Sequence, residues 1–215
     1  MTSIGRLHVL TDTELQSRFS AVELTRRALA GGADTIQLRQ KTGSTRAMIN
    51  LARQLKELCV QAAVPFIVND RVDVAIASQA DGVHLGQDDF PIFLARELLG
   101  PDRMIGGSAS TPEQALQCIE EGADYVGFGP VYSTDSKKDA APVSGLDTLR
   151  QVVRAASVPV IAIGGISHEN TPAIACAGAA GIAVISAVCC QLDPAAASRD
   201  LLRAFGQHYR GDGHE

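Results

Sequence analysis

Asp70 and Asp89 each follow a short apolar run, in "FIVNDR" and "DGVHLGQDD". Two carboxylates completed by phosphate oxygens and water are a usual donor set for Mg²⁺, which rarely takes an all-protein cage. Zinc is disfavoured, because no Cys or His cluster accompanies them. Gln37, Arg39 and Lys41 alternate along another such run and so project to one side of an extended chain. With Lys137 they bring three cations to the same region, and that much positive charge anticipates a polyanion such as pyrophosphate.

Taken singly, each of these residues has a duller role. Asp12 and Asp88 read as helix N-caps, the commonest use of an aspartate after a strand. Lys41 or Lys137 alone would be a solvated cation, and Lys138 reads as one. His84 alone would be a hydrogen-bonded core histidine, Ser108 a helix cap, and Gly164-Gly165 a turn. What decides between the readings is whether one fold gathers these positions.

Short β-branched runs alternate with longer helical patterns along the whole chain. The strands read as "LHVLT", "TIQLR", "PFIVN", "DGVHL", "MIGGS", "YVGFG", "PVIAI" and "GIAVIS". Apolar residues at i, i+3, i+4 spacing mark helices in "AVELTRRALAGG", "TRAMINLARQLKELCVQA", "TPEQALQCIEEG" and "LDTLRQVVRAAS". Several end in Gly or Gly-Ala before the next strand, as a C-cap does. About eight βα units imply an α/β fold, a single (β/α)₈ TIM barrel over residues 1–215, with a doubly wound open sheet as the alternative. In such a barrel, polar groups at the C-terminal strand ends converge: Asn69, Asp70, His84, Asp89, Ser108, Thr134, Ser136, Lys137 and Ser186.

A second anion seat is expected where the loops after strands seven and eight bring backbone N–H groups together, in "AIGGIS" and "VISAV". Two anion seats imply two phosphorylated partners, or one substrate phosphorylated at both ends. The net charge of −5 argues against nucleic acid or an acidic membrane as partner. Hydrophobic residues form 46% of the chain against 20% charged, yet nowhere do eighteen uncharged apolar residues run together. No basic region followed by an apolar run opens the sequence, so a soluble, cytoplasmic protein is expected. The five cysteines lack metal-ligand spacing and are expected to be buried or partly buried thiols in a reducing compartment. The tail from about residue 209 is expected to be mobile. A homo-oligomer is compatible with all of this.

"QLRQK", "VNDRVDVA", "ADGVHLGQDD", "GADYVGFGPVYSTDSK", "VPVIAIGGI" and "AGAAGIAVISAV" together resemble the thiamine-phosphate synthase (thiamine-phosphate pyrophosphorylase) family, in the right order from about Leu7 to Val188. The resemblance implies a transferase of thiamine biosynthesis. Such enzymes join 4-amino-2-methyl-5-hydroxymethylpyrimidine diphosphate to 4-methyl-5-(2-hydroxyethyl)thiazole phosphate, giving thiamine phosphate and pyrophosphate. It implies that Gln37, Arg39, Lys41, Asn69, His84 and Lys137 hold the pyrimidine diphosphate and that Asp70 and Asp89 bind Mg²⁺. Ser108 would sit by the reacting pyrimidine, Thr134 and Ser136 would line the thiazole phosphate site, and Gly165, Ile185 and Ser186 would complete the phosphate cup. Arg39, Lys41, Ser108 and Lys137 are the implied catalytic set, in a dissociative mechanism where the bond to pyrophosphate breaks before the thiazole nitrogen attacks.

Two departures from the family pattern are mild: Gln40 stands where an acidic residue is common, and Ser110 where a histidine often is. Two rivals share the fold. A thiazole tautomerase needs an acid–base residue in the loop after strand six, where this chain has Pro130. A non-catalytic phosphate-binding paralogue would be expected to lose part of the Mg²⁺ and cation set, and nothing is missing.

Overall fold

The computed structural model describes residues 4–136 and 141–209. Lys137 and Lys138 lie outside the described residues, as does the tail beyond Tyr209.

Eight parallel strands close into a barrel, each paired with the next in sequence and the last with the first. They are β1 (Leu7–Thr11), β2 (Thr35–Leu38), β3 (Phe66–Asn69), β4 (Gly82–Leu85), β5 (Met104–Ala109), β6 (Tyr125–Phe128), β7 (Val160–Ile163) and β8 (Gly181–Val184). Outside them lie α1 (Ala21–Ala30), α2 (Thr45–Ala62), α3 (Val72–Ser78), α4 (Ile92–Leu99), α5 (Pro112–Glu120), α6 (Gly145–Ala155) and α7 (Thr171–Cys176), with α8 (Ser186–Cys189) and α9 (Pro194–Gly206) after the last strand. The doubly wound alternative is excluded by closure. Among the described residues no helix is long and apolar enough to cross a membrane.

The side-chain period of two splits every strand between two cores. Val9, Ile36, Leu38, Phe66, Val68, Val83, Val126 and Phe128 face outward and pack in one continuous cluster that also takes in Leu24, Leu55 and Leu149 from the helices. The inward positions are mixed. Leu10, Tyr125, Ile161 and Ala183 form a small apolar cluster within the barrel. Beside it stand His8, Gln37, Asn69, His84 and Ser108. A barrel centre usually fills with branched apolar side chains, so the polar ones are there at a cost that needs a reason.

A repeated clamp closes the opposite end. The residue after α1, α3, α5 and α7 that turns the chain is left-handed in each case: Gly32, Gln79, Gly122 and Gly178. In the first three units an Ala-Asp follows, and the Asp grips the strand before it at two points. Asp34, Asp81 and Asp124 donate their own N–H to the carbonyls of Leu7, Phe66 and Ile105. Their carboxylates accept the N–H of those same residues at 2.7, 2.8 and 2.7 Å. The fourth unit has Ala180, which keeps only the backbone bond, to Val160 at 2.8 Å. Asp124 also receives Arg96 at 2.5 Å. Asp124→Ala therefore leaves the Ile105 N–H without its carboxylate, and urea unfolding is expected to show a loss of about 1–2 kcal/mol with the far end of the barrel unaffected.

One expectation changes. The cysteines are all free thiols, but only Cys59, Cys118 and Cys189 are buried; Cys176 and Cys190 are exposed, because they sit at helix ends turned from the core. Tyr209 is packed, its ring stacking on Phe205 at 5.3 Å and lying under Arg6, and the rest of the tail expected to be mobile lies outside the described residues.

Candidate active site at the mouth of the barrel

A cavity of about 400 Å³ opens at the C-terminal strand ends. Gln37, Arg39, Lys41, Asn69, Asp70, His84, Asp89, Ser108, Thr134, Ser136, Gly165, Ile185 and Ser186 all line it. Of the residues named from sequence as a site, only Lys137 lies outside the described residues.

The acidic side is built by register. Asn69 pairs with His84 across β3 and β4, so the residues after both strands emerge side by side. Asp70 is left-handed, with φ of +65°, a conformation uncommon for non-glycine residues but one that aspartate and asparagine enter more readily than most. Its N–H donates to the His84 carbonyl at 2.8 Å, and its carboxylate takes Lys41 Nζ at 2.6 Å. Asp89 accepts the Gly86 N–H at 2.7 Å. Its carboxyl is pushed above the usual range, first by desolvation and next by the Asp70 carboxyl within hydrogen-bonding reach, while the Gly86 N–H and Lys41 pull the other way. Two carboxyls this close share a proton or take a cation between them.

No group of three or more His, Cys, Asp or Glu converges among the described residues. A pair of hard oxygen donors with no third protein ligand among the described residues is unlike a zinc site, and it fits a divalent ion that keeps water and phosphate oxygens in its shell.

Arg39 differs from its sequence reading in one respect. It lines the cavity, but its guanidinium is paired with Asp12, and the two side chains are only 9% and 2% exposed. Asp12 is not a helix N-cap: α1 is capped by Ser20, and Asp12 accepts the N–H groups of Glu14 and Leu15 in the turn after β1. Asp88 is not one either, since Pro91 opens α4 with no side-chain cap, and Asp88 faces the cavity. Ser108 lies inside β5, and the cap of α5 is Thr111. Arg39 Nε and Gln37 Oε1 are buried with no hydrogen-bond partner among the described residues. Buried polar atoms are rarely left so, and two at one cavity mark where a polar ligand would bind.

The opposite wall is hydroxyl and glycine. Ser136 Oγ lies 3.1 Å from Ser186 Oγ, and Thr134 Oγ1 accepts the Ser136 N–H at 3.2 Å. Gly164 and Gly165 have φ of +96° and +63°. A Cβ on Gly165 would strike the Ser133 carbonyl and Tyr132, so the glycine is what lets the loop after β6 close against β7. The helix expected to present N–H groups here, α8, is only four residues long. The three hydroxyls stand beside the backbone N–H groups of this wall as further donors. Of the departures, Ser110 donates both N–H and Oγ–H to Gln114 Oε1, and Gln40 Nε2 bonds the Thr42 carbonyl.

Sequence reasoning missed four cavity neighbours. Asp12 reads as a local cap because its partner is 27 residues away. Tyr125 and His8 read as ordinary strand residues, though their inward parity in "YVGF" and "LHVL" was visible. Gln87, whose Nε2 donates to the Ser108 carbonyl at 2.7 Å, had no signal beyond standing next to Asp88.

A family model described as thiamine monophosphate synthase matches residues 7–188. A thiamine-phosphate synthase of Methanocella arvoryzae is 51% identical over 209 residues, covering 97% of this chain and 98% of the relative. One of Salinibacter ruber is 53% identical over 186 residues, covering 86% and 82%. Among solved structures, a thiamine phosphate pyrophosphorylase from Pyrococcus furiosus superposes with a TM-score of 0.86 at 41% identity, covering 94% of this chain and 96% of that one. A barrel with this strand order, an acidic pair facing a hydroxyl wall across its mouth, and relatives of this similarity over nearly full length place the chain in the thiamine monophosphate synthase family.

Proposed function

We propose that the protein joins a pyrimidine diphosphate to a thiazole phosphate, releasing pyrophosphate and thiamine phosphate. The observation that carries the reading is the division of one cavity: Asp70, Asp89, Arg39 and Lys41 on one side, and Thr134, Ser136 and Ser186 on the other. The first seat suits a diphosphate with a divalent ion and the second a monophosphate, and between them is room for two rings.

Asp70 and Asp89 would hold Mg²⁺, which when bound neutralises charge gathering on the departing diphosphate. Arg39 and Lys41 act on the same charge as fixed donors, already oriented before the bond breaks, and Lys137 joins them by the family resemblance. Gln37 Oε1 is an acceptor awaiting a donor, and the amino group of a pyrimidine supplies one. Asn69 and His84 flank the same diphosphate seat. Ile161, Ile163 and Ile185 wall the cavity with apolar surface and keep water from a methyl cation formed by loss of pyrophosphate. The thiazole nitrogen then attacks from the hydroxyl side. No side-chain nucleophile takes part: Cys118 and Cys189 are buried thiols held above their usual range, chiefly by desolvation.

Proton-transfer chemistry on this scaffold would need an acid–base group at Pro130, and it would leave the acidic pair without a role. A cytoplasmic place in thiamine biosynthesis follows from the proposed activity. The test is release of pyrophosphate with each substrate alone and with both, in Mg²⁺. Release is expected only with both present. Release from the pyrimidine diphosphate alone at the same rate, or none under any condition, would refute the reading.

A further inference from the structure

Tyr125 is 1% exposed at the barrel centre and lines the inner end of the cavity. Its hydroxyl lies 3.1 Å from His84 Nδ1, and His84 Nε2 lies 2.9 Å from Ser108 Oγ. A relay of three side chains on three adjacent strands thus runs from the buried centre to the reacting end. It is built with some sacrifice. A Cβ on Gly106 would collide with both Tyr125 and His84 Nδ1, and one on Gly127 would lie 2.8 Å from His84 Cε1, so two strand positions give up their side chains to seat these rings. The rings lie 5.4 Å apart at 32°, and His8 packs edge-on against Tyr125 at 5.8 Å.

We propose that Tyr125 is a positioning residue whose buried hydroxyl fixes the His84 ring in its Nε2–H form and thereby aims the Ser108 hydroxyl proton at the diphosphate ester. This rests on the diphosphate transfer proposed above.

The direction of the relay follows from its buried end. Burial holds the phenol well above its ordinary range, so it keeps its proton. Among the described residues the partner of that hydroxyl is His84 Nδ1. A buried O–H that fails to donate forfeits a hydrogen bond, so Tyr125 donates and Nδ1 accepts. Nε2 then carries the ring proton and donates to Ser108 Oγ. With that lone pair occupied by the histidine, the Ser108 proton is free to point into the cavity, toward the oxygen that leaves with pyrophosphate. No proton changes owner; the relay only orients a donor. Burial lowers the His8 pKa to about 4, so His8 stays neutral and its Nε2 donates to the Gly5 carbonyl. It competes for neither end of the relay.

Nitrogen NMR of the imidazoles tests the first half on the unaltered protein: His84 is expected to show a pyridine-type Nδ1 and a pyrrole-type Nε2. Tyr125→Phe keeps the ring and removes only the hydroxyl. It is expected to mix the two His84 tautomers and to lower kcat about tenfold, the scale of one hydrogen bond, with KM for both substrates within about twofold. On a Ser108→Ala background the same change is expected to add nothing. A His84 ring protonated at Nδ1 in the unaltered protein, unchanged kcat in Tyr125→Phe, or full additivity with Ser108→Ala would each overturn the proposal. If the unaltered protein releases no pyrophosphate, the transferase reading fails instead, and the imidazole spectra still decide the relay.

Discussion

Asp70→Asn is expected to reduce kcat/KM about a hundredfold at millimolar Mg²⁺ and to raise the Mg²⁺ concentration giving half-maximal rate, as read from pyrophosphate release against Mg²⁺. That loss is the scale for one preorganised charge removed from a leaving-group site. Asparagine is the informative substitution because it tolerates the left-handed backbone at this position, whereas alanine adds strain to the loss of charge. Asp89→Asn should behave alike, with its amide oxygen still able to accept the Gly86 N–H. The pair also predicts a pH effect. The Asp89 pKa is raised in the fold, so the native state holds that proton more tightly than the unfolded chain. The stability it contributes is present below the unfolded value and is lost as pH rises through the native one. A divalent ion held by the pair would take the place of the proton, so thermal stabilisation by Mg²⁺ is expected only above that native pKa and should vanish in acid.

Arg39→Met is expected to destabilise the protein by about 3–5 kcal/mol, the usual penalty for leaving one partner of a buried pair uncompensated, and to lower pyrophosphate release as well. The two losses have different origins. Asp12 is 1% exposed and loses its cation, which affects folding. The proposed diphosphate would lose a fixed donor, which would lower turnover. Adding Asp12→Asn to Arg39→Met should restore most of the stability in urea unfolding and none of the activity. Arg39→Lys is not conservative, because an ammonium cannot serve carboxylate and phosphate together as a planar guanidinium can. If the double substitution recovered activity, Arg39 would be a structural residue only.

The barrel was legible because its signals are local. Most strands are short runs of β-branched or other apolar residues bounded by turns, and α2 has the span Thr45–Ala62 that its apolar spacing indicates. The gathering of the site was legible for a related reason: Gln37, Asn69, His84 and Ser108 have the inward parity of their strands and stand near the ends where loops begin. What stayed hidden depends on contacts distant in sequence. The Asp12–Arg39 pair spans 27 residues, and nothing near Asp12 distinguishes it from a cap. Asp34, Asp81 and Asp124 sit in a repeated pattern, yet their grip on the preceding strand appears only when strands are placed side by side. Tyr125 has the sequence signature of any buried aromatic, and its polar role depends on His84, 41 residues earlier.

The proposed diphosphate seat is made by an acidic pair through a divalent ion, with Arg39 and Lys41 beside it. Calorimetric titration of inorganic pyrophosphate, with and without Mg²⁺, reads that seat without any turnover. The account predicts at least about tenfold tighter binding with Mg²⁺ in the unaltered protein, one hydrogen-bond-scale increment or more, and no Mg²⁺ dependence in the Asp70→Asn, Asp89→Asn protein. Equal affinity with and without the ion, or a Mg²⁺ effect that survives both substitutions, would show that these carboxylates do not form the seat.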